Sequence, residues 1–291
     1  MNNMDKNTSF TLELDGQEIS ATAEDTLWQL AKRHGVDIPH LCYKDDNNYR
    51  EDGNCRACMV EIEGERVLAA SCQRKAAAGM KVSTQSERAE KSRKMVMELL
   101  LADQPARRDA HDPASHLWHY ADKQDIQTSR FSGKNKPTAD SSHPAIAVNM
   151  DACIQCNLCV RACREVQVND VIGLAGRGAD AHIIFDFDDD MGASTCVGCG
   201  ECVQACPTGA LMPKTMLAED QKLAITPDKQ VDSVCPYCGV GCQLTFNVRE
   251  DKIVSVNGRS GPANNSRLCV KGRYGFDYIH NPERITKPLI R

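Results

Sequence analysis

Alternating apolar positions at Phe10, Leu12 and Leu14, a turn at Asp15-Gly16 and a resumed alternation at Ile19 predict a β-hairpin over residues 9–21. Residues 26–34 read as a short helix, capped by Asp25 and stopped by Gly35. A polar loop from Cys42 to Cys58 follows. A second hairpin is predicted from Val60 and Ile62, a turn at Gly64, then Val67 and Leu68, with a last strand near Met80–Val82. Residues 84–103 read as a helix with a Thr84/Glu87 capping box and Val96, Leu99 and Leu100 on one face. Pro105 ends it. Residues 104–144 are polar, with Ser, Lys, Gly and Pro gathered between Ser129 and Pro144, and read as a linker with some helix at 114–125.

Residues 147–213 hold an internal repeat: CIQCNLCVRAC and CVGCGECVQAC match in their cysteine positions. Ile183, Ile184 and Phe185 lie between the two runs, followed by an acidic FDFDDD stretch that reads as a solvated loop. Residues 231–291 open on CPYCGVGC. An alternating strand at Leu244, Phe246 and Val248, a turn at Glu250-Asp251 and a strand at Ile253, Val254 and Val256 precede Cys269. These patterns divide the chain into residues 8–84, 85–144, 145–216 and 229–291.

Length alone, 291 residues, suggests about two average domains. Aromatic content of 5% and a mean hydropathy of -0.45 argue against one large apolar core. The 16 cysteines change that picture. Metal ligation would replace part of the missing core, because metal binding free energy becomes folding free energy. The metal-free chain is therefore expected to be poorly folded. The first thirty residues carry one Lys, no Arg and no apolar run, so no secretory or twin-arginine signal is visible. No stretch approaches the 18 or so apolar residues of a membrane span. A reducing cytoplasm suits free thiolates. A net charge of -5 argues against nucleic acid as a partner.

Every cysteine falls into one of four sets of four. Cys42, Cys55, Cys58 and Cys72 have the spacing C-x12-C-x2-C-x13-C, which suits a [2Fe–2S] or a [4Fe–4S] cluster. Cys153, Cys156, Cys159 and Cys163 form the second set, and Cys196, Cys199, Cys202 and Cys206 the third. Both have the spacing C-x2-C-x2-C-x3-C, a strong iron–sulfur signal. Cys235, Cys238, Cys242 and Cys269 form the fourth, C-x2-C-x3-C-x26-C, which taken alone could also be a zinc ribbon. His111, His116 and His119 read as exposed linker histidines. His34, His40, His143, His182 and His280 read as structural or solvated. No Gly-rich nucleotide fingerprint, flavin motif, Ser/His/Asp triad or paired-carboxylate site is apparent, so no catalytic residue is assigned.

The strands and helix around the first set resemble a plant-type ferredoxin. Its long first gap is similar to the version at the N-terminus of the complex I large subunit, iron-only hydrogenases and NAD-linked formate dehydrogenases, which implies [2Fe–2S]. The second and third sets resemble bacterial two-cluster ferredoxins, in which the fourth cysteine of each run ligates the other cluster. That resemblance implies Cys153, Cys156 and Cys159 with Cys206, and Cys196, Cys199 and Cys202 with Cys163. Pro207 follows Cys206 as the motif asks, whereas Arg164 follows Cys163. CPYCGVGC and NNSRLCVKGRYGFDYIH resemble the N-terminal [4Fe–4S] module of molybdenum or tungsten bis-pterin oxidoreductases, which implies an electron relay at Lys271.

The whole order resembles the N-terminal iron–sulfur portion of the alpha subunit of cytoplasmic NAD-linked formate dehydrogenases, from about Ser9 to Arg291. The expected fold is α+β: a ferredoxin-like domain, a two-[4Fe–4S] ferredoxin domain and a small β-rich [4Fe–4S] module. The expected cofactors are one [2Fe–2S] and three [4Fe–4S] clusters. The expected partners are a molybdopterin catalytic domain or subunit and a flavin/NAD-binding diaphorase subunit. A complex I-like or hydrogen-linked subunit, or a free-standing multi-cluster carrier, is the alternative. Many relatives carry a further His/Cys3 cluster site after the first long helix. Here no cysteine lies between Cys72 and Cys153, which weakens a direct assignment to complex I.

Overall fold

The computed structural model describes residues 9–46, 48–133, 137–217 and 226–290. It divides into two compact units. Of the described residues, the first holds those through Gln104, 114–133 and Cys153–Leu158; the second holds Pro105–Pro113, 137–152 and those from Cys159 on.

In the first unit, strands β1 (Phe10–Leu14) and β2 (Gln17–Ala21) form the predicted hairpin, with Leu12 opposite Ile19. Asp15 and Gly16 make its turn at φ 49° and 81°, values that Gly adopts freely. Strands β3 (Met59–Ile62), β4 (Ala69–Ala70) and β5 (Lys81–Ser83) complete a five-stranded mixed sheet of order β2-β1-β5-β3-β4, in which β1 and β5 run parallel. Helix α1 (Leu27–Arg33) covers the sheet. Leu27, Leu30 and Ala31 are buried with Leu12, Val60 and Val82, and Trp28 Nε1 donates to Ile38 O at 3.1 Å. Burying each large apolar side chain contributes about 1.5–3 kcal/mol.

The helix starts differ from expectation. Thr26, not Asp25, caps α1: its hydroxyl accepts from Gln29 N, and Gln29 Oε1 accepts from Thr26 N, a reciprocal capping box. Asp25 instead takes Thr22 N at 2.8 Å and pairs with Arg33. Helix α2 (Glu87–Ala102) is capped by Ser86, because Thr84 is already committed. The Thr84 N–H and hydroxyl both donate to the Asp15 carboxylate at 2.6 Å. The buried face of α2 runs through Ala89, Met97 and Leu101, whereas Leu99 is 48% exposed. The partner strand of the second hairpin begins at Ala69, opposite Val60, and Val67 is exposed in the turn.

Residues expected to be linker hold a core of their own. In helix α3 (His116–Lys123), Leu117, Trp118, Tyr120 and Ala121 pack with Met97, Leu101, Leu41 and Ala57. The polar side of α3 is anchored as well. Lys123 pairs with Asp37, and Tyr120 Oη and His40 Nδ1 share a 3.0 Å hydrogen bond.

In the second unit, β6 (Ile146–Val148) and β9 (Leu211–Pro213) pair antiparallel, so the chain before the first cysteine run meets the chain after the second. Between them β7 (Ile172–Ala175) and β8 (His182–Phe185) form a hairpin. Asp186 accepts from Thr195 N at 2.6 Å, and residues 187–190 are exposed, as a solvated acidic loop should be. His111, expected to be exposed, is buried, while His116 and His119 are exposed. Strands β10 (Lys229–Val234), β11 (Gln243–Arg249) and β12 (Lys252–Gly258) form a meander. The turn between the last two places Glu250 and Asp251 at φ 50° and 60°. Leu244, Val256, Leu268 and Phe276 pack around Cys235 as its core. The mixture of small sheets and helices is the α+β class expected.

Candidate metal centres

None of the sixteen cysteines is in a disulfide. The loops that carry them are shaped by backbone that few residues tolerate. Arg56, Gln155 and Asn157 stand at φ 58°, 54° and 60°, and Gly198 and Gly200 at 65° and 70°. Such αL turns swing successive N–H groups inward, where they can meet sulfur. Cys55 N donates to Cys42 Sγ at 3.5 Å, Gln155 N to Cys153 Sγ at 3.3 Å, and Gly198 N to Cys196 Sγ at 3.4 Å. N–H donors of this kind stabilise thiolates and the clusters they hold.

The first set converges within the first unit. Cys42 bonds the thiols of Cys55 and Cys72, and Cys58 bonds that of Cys72. The hydrogen bond from Cys55, then that from Cys72, holds Cys42 well below the usual thiol range, and Cys72 brings Cys58 down to about 7. Cys55 and Cys72 are pushed up in exchange, since they supply the protons. Four sulfurs linked in this way form one site for a group held by four thiolates.

Of the second set, Cys153 and Cys156 belong to the first unit, where Asn54 Nδ2, beside Cys55, donates to Cys156 O at 3.4 Å and Ile154 packs on the α2–α3 core. Cys159 and Cys163 of that set, and Cys206 of the third, belong to the second unit. Cys159 lies on helix α4 (Leu158–Arg161), and the Cys206 thiol is 3.6 Å from Thr208 Oγ1.

Of the third set, Cys196 and Cys199 precede helix α5 (Glu201–Ala205), Cys202 lies in its first turn and Cys206 caps its end. Burial pushes Cys196, Cys199 and Cys202 up, and the charge of Cys163 adds to the shift of all three. Val171 N donates to Cys163 Sγ at 3.3 Å, and Asn169 Nδ2 faces Cys199 Sγ at 3.9 Å.

In the fourth set, Cys242 is pushed up by burial and then by the charges of Cys235, Cys238 and Cys269, so all four members stand together. Cys235 N donates to Cys242 O at 2.8 Å. Cys238 and Cys269 are exposed. Lys271 is exposed on helix α6 (Val270–Tyr274), which starts just after Cys269. Gly272 packs beside the set, where a Cβ would make ordinary van der Waals contact with Cys235 Sγ at 3.6 Å.

Among the described residues, no three or more His, Cys, Asp or Glu side chains have the geometry of a single bound metal ion. A [4Fe–4S] cluster would take one thiolate on each iron and a [2Fe–2S] cluster two, so neither requires three donors around a single ion. Sequence reasoning missed one residue that shapes the third set. Arg273, 2% exposed, donates through Nε to Cys199 O at 2.8 Å. Nothing in its local sequence marks it as buried.

Three family models match the chain: a 2Fe-2S iron-sulfur cluster binding domain over residues 7–87, a 4Fe-4S dicluster domain over 152–210, and a molybdopterin oxidoreductase Fe4S4 domain over 228–281. An NADH-quinone oxidoreductase subunit of Rhizobium meliloti is 34% identical over 96% of this chain and 32% of its own length. NADPH-Fe(3+) oxidoreductase subunit alpha of Geobacter sulfurreducens is 31% identical over 97% and 33%. A putative formate dehydrogenase of Staphylococcus haemolyticus is 26% identical over 96% and 32%. The chain thus spans about a third of the length of these relatives. The crystal structure of an NAD+-reducing [NiFe]-hydrogenase in the H2-reduced state matches 71% of this chain and 88% of its own, with a TM-score of 0.65 and 27% identity. No helix among the described residues is long and apolar enough to cross a membrane. The chain is an iron–sulfur electron-transfer protein, homologous over nearly all its length to part of these larger oxidoreductases.

Proposed function

We propose that this chain carries electrons from the molybdenum bis-pterin centre of a cytoplasmic formate dehydrogenase to a flavin partner that reduces NAD. The observation that carries the reading is the order of its three modules, which ends on a molybdopterin-type cluster module.

Cys42, Cys55, Cys58 and Cys72 hold a [2Fe–2S] cluster. Cys153, Cys156, Cys159 and Cys206 hold a [4Fe–4S] cluster, as do Cys196, Cys199, Cys202 and Cys163. Cys235, Cys238, Cys242 and Cys269 hold a third [4Fe–4S]. When bound, these groups supply one-electron redox chemistry. Crossed ligation is supported by the charge of Cys163 on the other three thiols of its proposed set. The chain's own residues link neighbouring sets in order. Asn54 ties the first loop to Cys156, and Arg273 ties the segment after Cys269 to Cys199. Lys271 serves the boundary between the fourth cluster and the pterin, where an exposed cation next to Cys269 is available to a docked catalytic domain.

A hydrogen-linked role is the second reading, favoured by the NAD+-reducing hydrogenase, although that likeness covers 71% of the chain and the three larger relatives cover 96–97%. The test is reconstitution. The chain joined with a pterin-bearing catalytic partner and a flavin subunit is expected to reduce NAD with formate, and the chain without them to pass dithionite electrons only to an artificial dye. Reduction by hydrogen, and none by formate, with the corresponding partners would favour the second reading.

A further inference from the structure

Helix α6 belongs by sequence to the fourth set, but two of its side chains turn toward the third. The Arg273 guanidinium donates to Cys199 O at 2.8 Å, to Gln204 Oε1 at 2.8 Å and to Val256 O at 3.3 Å, and it pairs with Glu201 Oε2 at 3.4 Å. Glu201 is 1% exposed. Gln204 is itself held, accepting from Gly258 N at 2.9 Å. A buried guanidinium is tolerated where its donors are matched in this way, and its planar fork then fixes the backbone that carries it.

Tyr274 follows. Its hydroxyl is buried and has no hydrogen-bond partner among the described residues. A tyrosine hydroxyl is neutral at ordinary pH and able to donate. The hydroxyl lies over Gly200, between Cys199 and Glu201: a Cβ at Gly200 would collide with both Arg273 Cδ and the Tyr274 hydroxyl. Nearby, a Cβ at Gly198 would lie 3.2 Å from Val270 Cγ2. Two glycines of the third cysteine run therefore receive α6. A buried donor without an acceptor is costly, and the acceptor that the chain lacks here is one that a sulfur-rich group in the third set would provide.

We propose that Tyr274 donates a hydrogen bond to sulfur of the cluster held by Cys196, Cys199 and Cys202, and that Arg273 is the positioning residue that aims it there. The inference rests on the reading that the third set holds a [4Fe–4S] cluster. A hydrogen bond to cluster sulfur stabilises the more negative, reduced state and raises the potential. The third set is thereby tuned by the module that carries the fourth.

The test uses the full chain, purified anaerobically, with iron and sulfide measured first and potentials then read by EPR during dithionite titration. The signal of the third set is the one lost in Cys199→Ser. Tyr274→Phe is expected to keep wild-type iron and to shift that signal alone to more negative potential. Arg273→Met is expected to shift it the same way, and the double variant by less than the sum of the two. Fluorotyrosine in place of Tyr274, a stronger donor, is expected to shift it the other way, an outcome that packing alone would not produce. Unchanged potentials in Tyr274→Phe and in the fluorotyrosine protein, or a shift confined to the signal lost in Cys235→Ser, would overturn the inference and leave the cluster assignment standing. Wild-type protein without [4Fe–4S] clusters would overturn both.

Discussion

Val171 donates its backbone N–H to the sulfur of Cys163 at 3.3 Å, and Cys163 lies near enough to Cys196, Cys199 and Cys202 for a thiolate there to raise the pKa of all three. Cys163→Ser is therefore expected to remove the cluster of the third set and to spare the one held by Cys153, Cys156 and Cys159. Mössbauer or EPR spectra of the single variant decide it. Loss of the second cluster with the third intact would contradict crossed ligation.

A buried histidine sets a pH dependence. His143 Nδ1 accepts from Ala145 N and Ile146 N, both at 3.1 Å, so that nitrogen must be unprotonated in the folded chain. Burial holds its pKa below the ordinary 6.5, against the raising charge of Asp140. The unfolded chain then binds more protons between that lowered value and 6.5, so stability is full above 6.5 and falls as the pH drops through this window. Asn at this position can accept the same two N–H groups through Oδ1 without titrating. Thermal melts from about pH 7.5 down to about 5 should show a shallower loss for His143→Asn than for the wild type. Parallel slopes would show that His143 contributes nothing to the acid sensitivity.

Gly200→Ala tests how α6 is received by the third cysteine run. Gly200 sits at φ 70°, and an added Cβ meets Arg273 and Tyr274. Backbone strain alone costs about 1–2 kcal/mol, and displacing a buried ion pair adds to it. Denaturant unfolding should show a loss of about 2 kcal/mol or more. Gly16→Ala, also at positive φ but with open space around it, should lose only the strain.

The helix at 87–102 separates two readings of its buried face. Met97 is fully buried and Leu99 is half exposed. Met97→Ala is expected to cost about 2–5 kcal/mol. Leu99→Ala should stay within about 0.5 kcal/mol. Equal losses in denaturant unfolding would count against the packing of α2 on α3.

The local signals in the sequence identified the first hairpin, the turn at Glu250-Asp251 and the four cysteine sets, because each is written in neighbouring residues. What was not legible depends on distant partners. Thr84 reads as a helix cap, but Asp15, far along the chain, takes both of its donors, and Ser86 caps instead. Strand β10 has only Val231 and Val234 as apolar residues and lies at a sheet edge, so it offers no alternation to detect. The helix expected at 114–125 is present as α3, but its polar surroundings gave no sign that Leu117, Trp118, Tyr120 and Ala121 fall on one side of it against α2. Arg273 carries no local signal of burial. Only the fold gives it Glu201 and the Cys199 carbonyl.

In the proposed function the four cysteine sets hold iron–sulfur clusters in one electron-transfer chain. Anaerobic purification followed by iron, acid-labile sulfide and zinc analysis, with EPR spin counting after dithionite reduction, tests it most directly. One [2Fe–2S] and three [4Fe–4S] clusters require about 14 irons and about 14 sulfides per chain, with one [2Fe–2S] and three [4Fe–4S] signals. Stoichiometric zinc in place of iron, or thiols that bind no iron, would contradict the account.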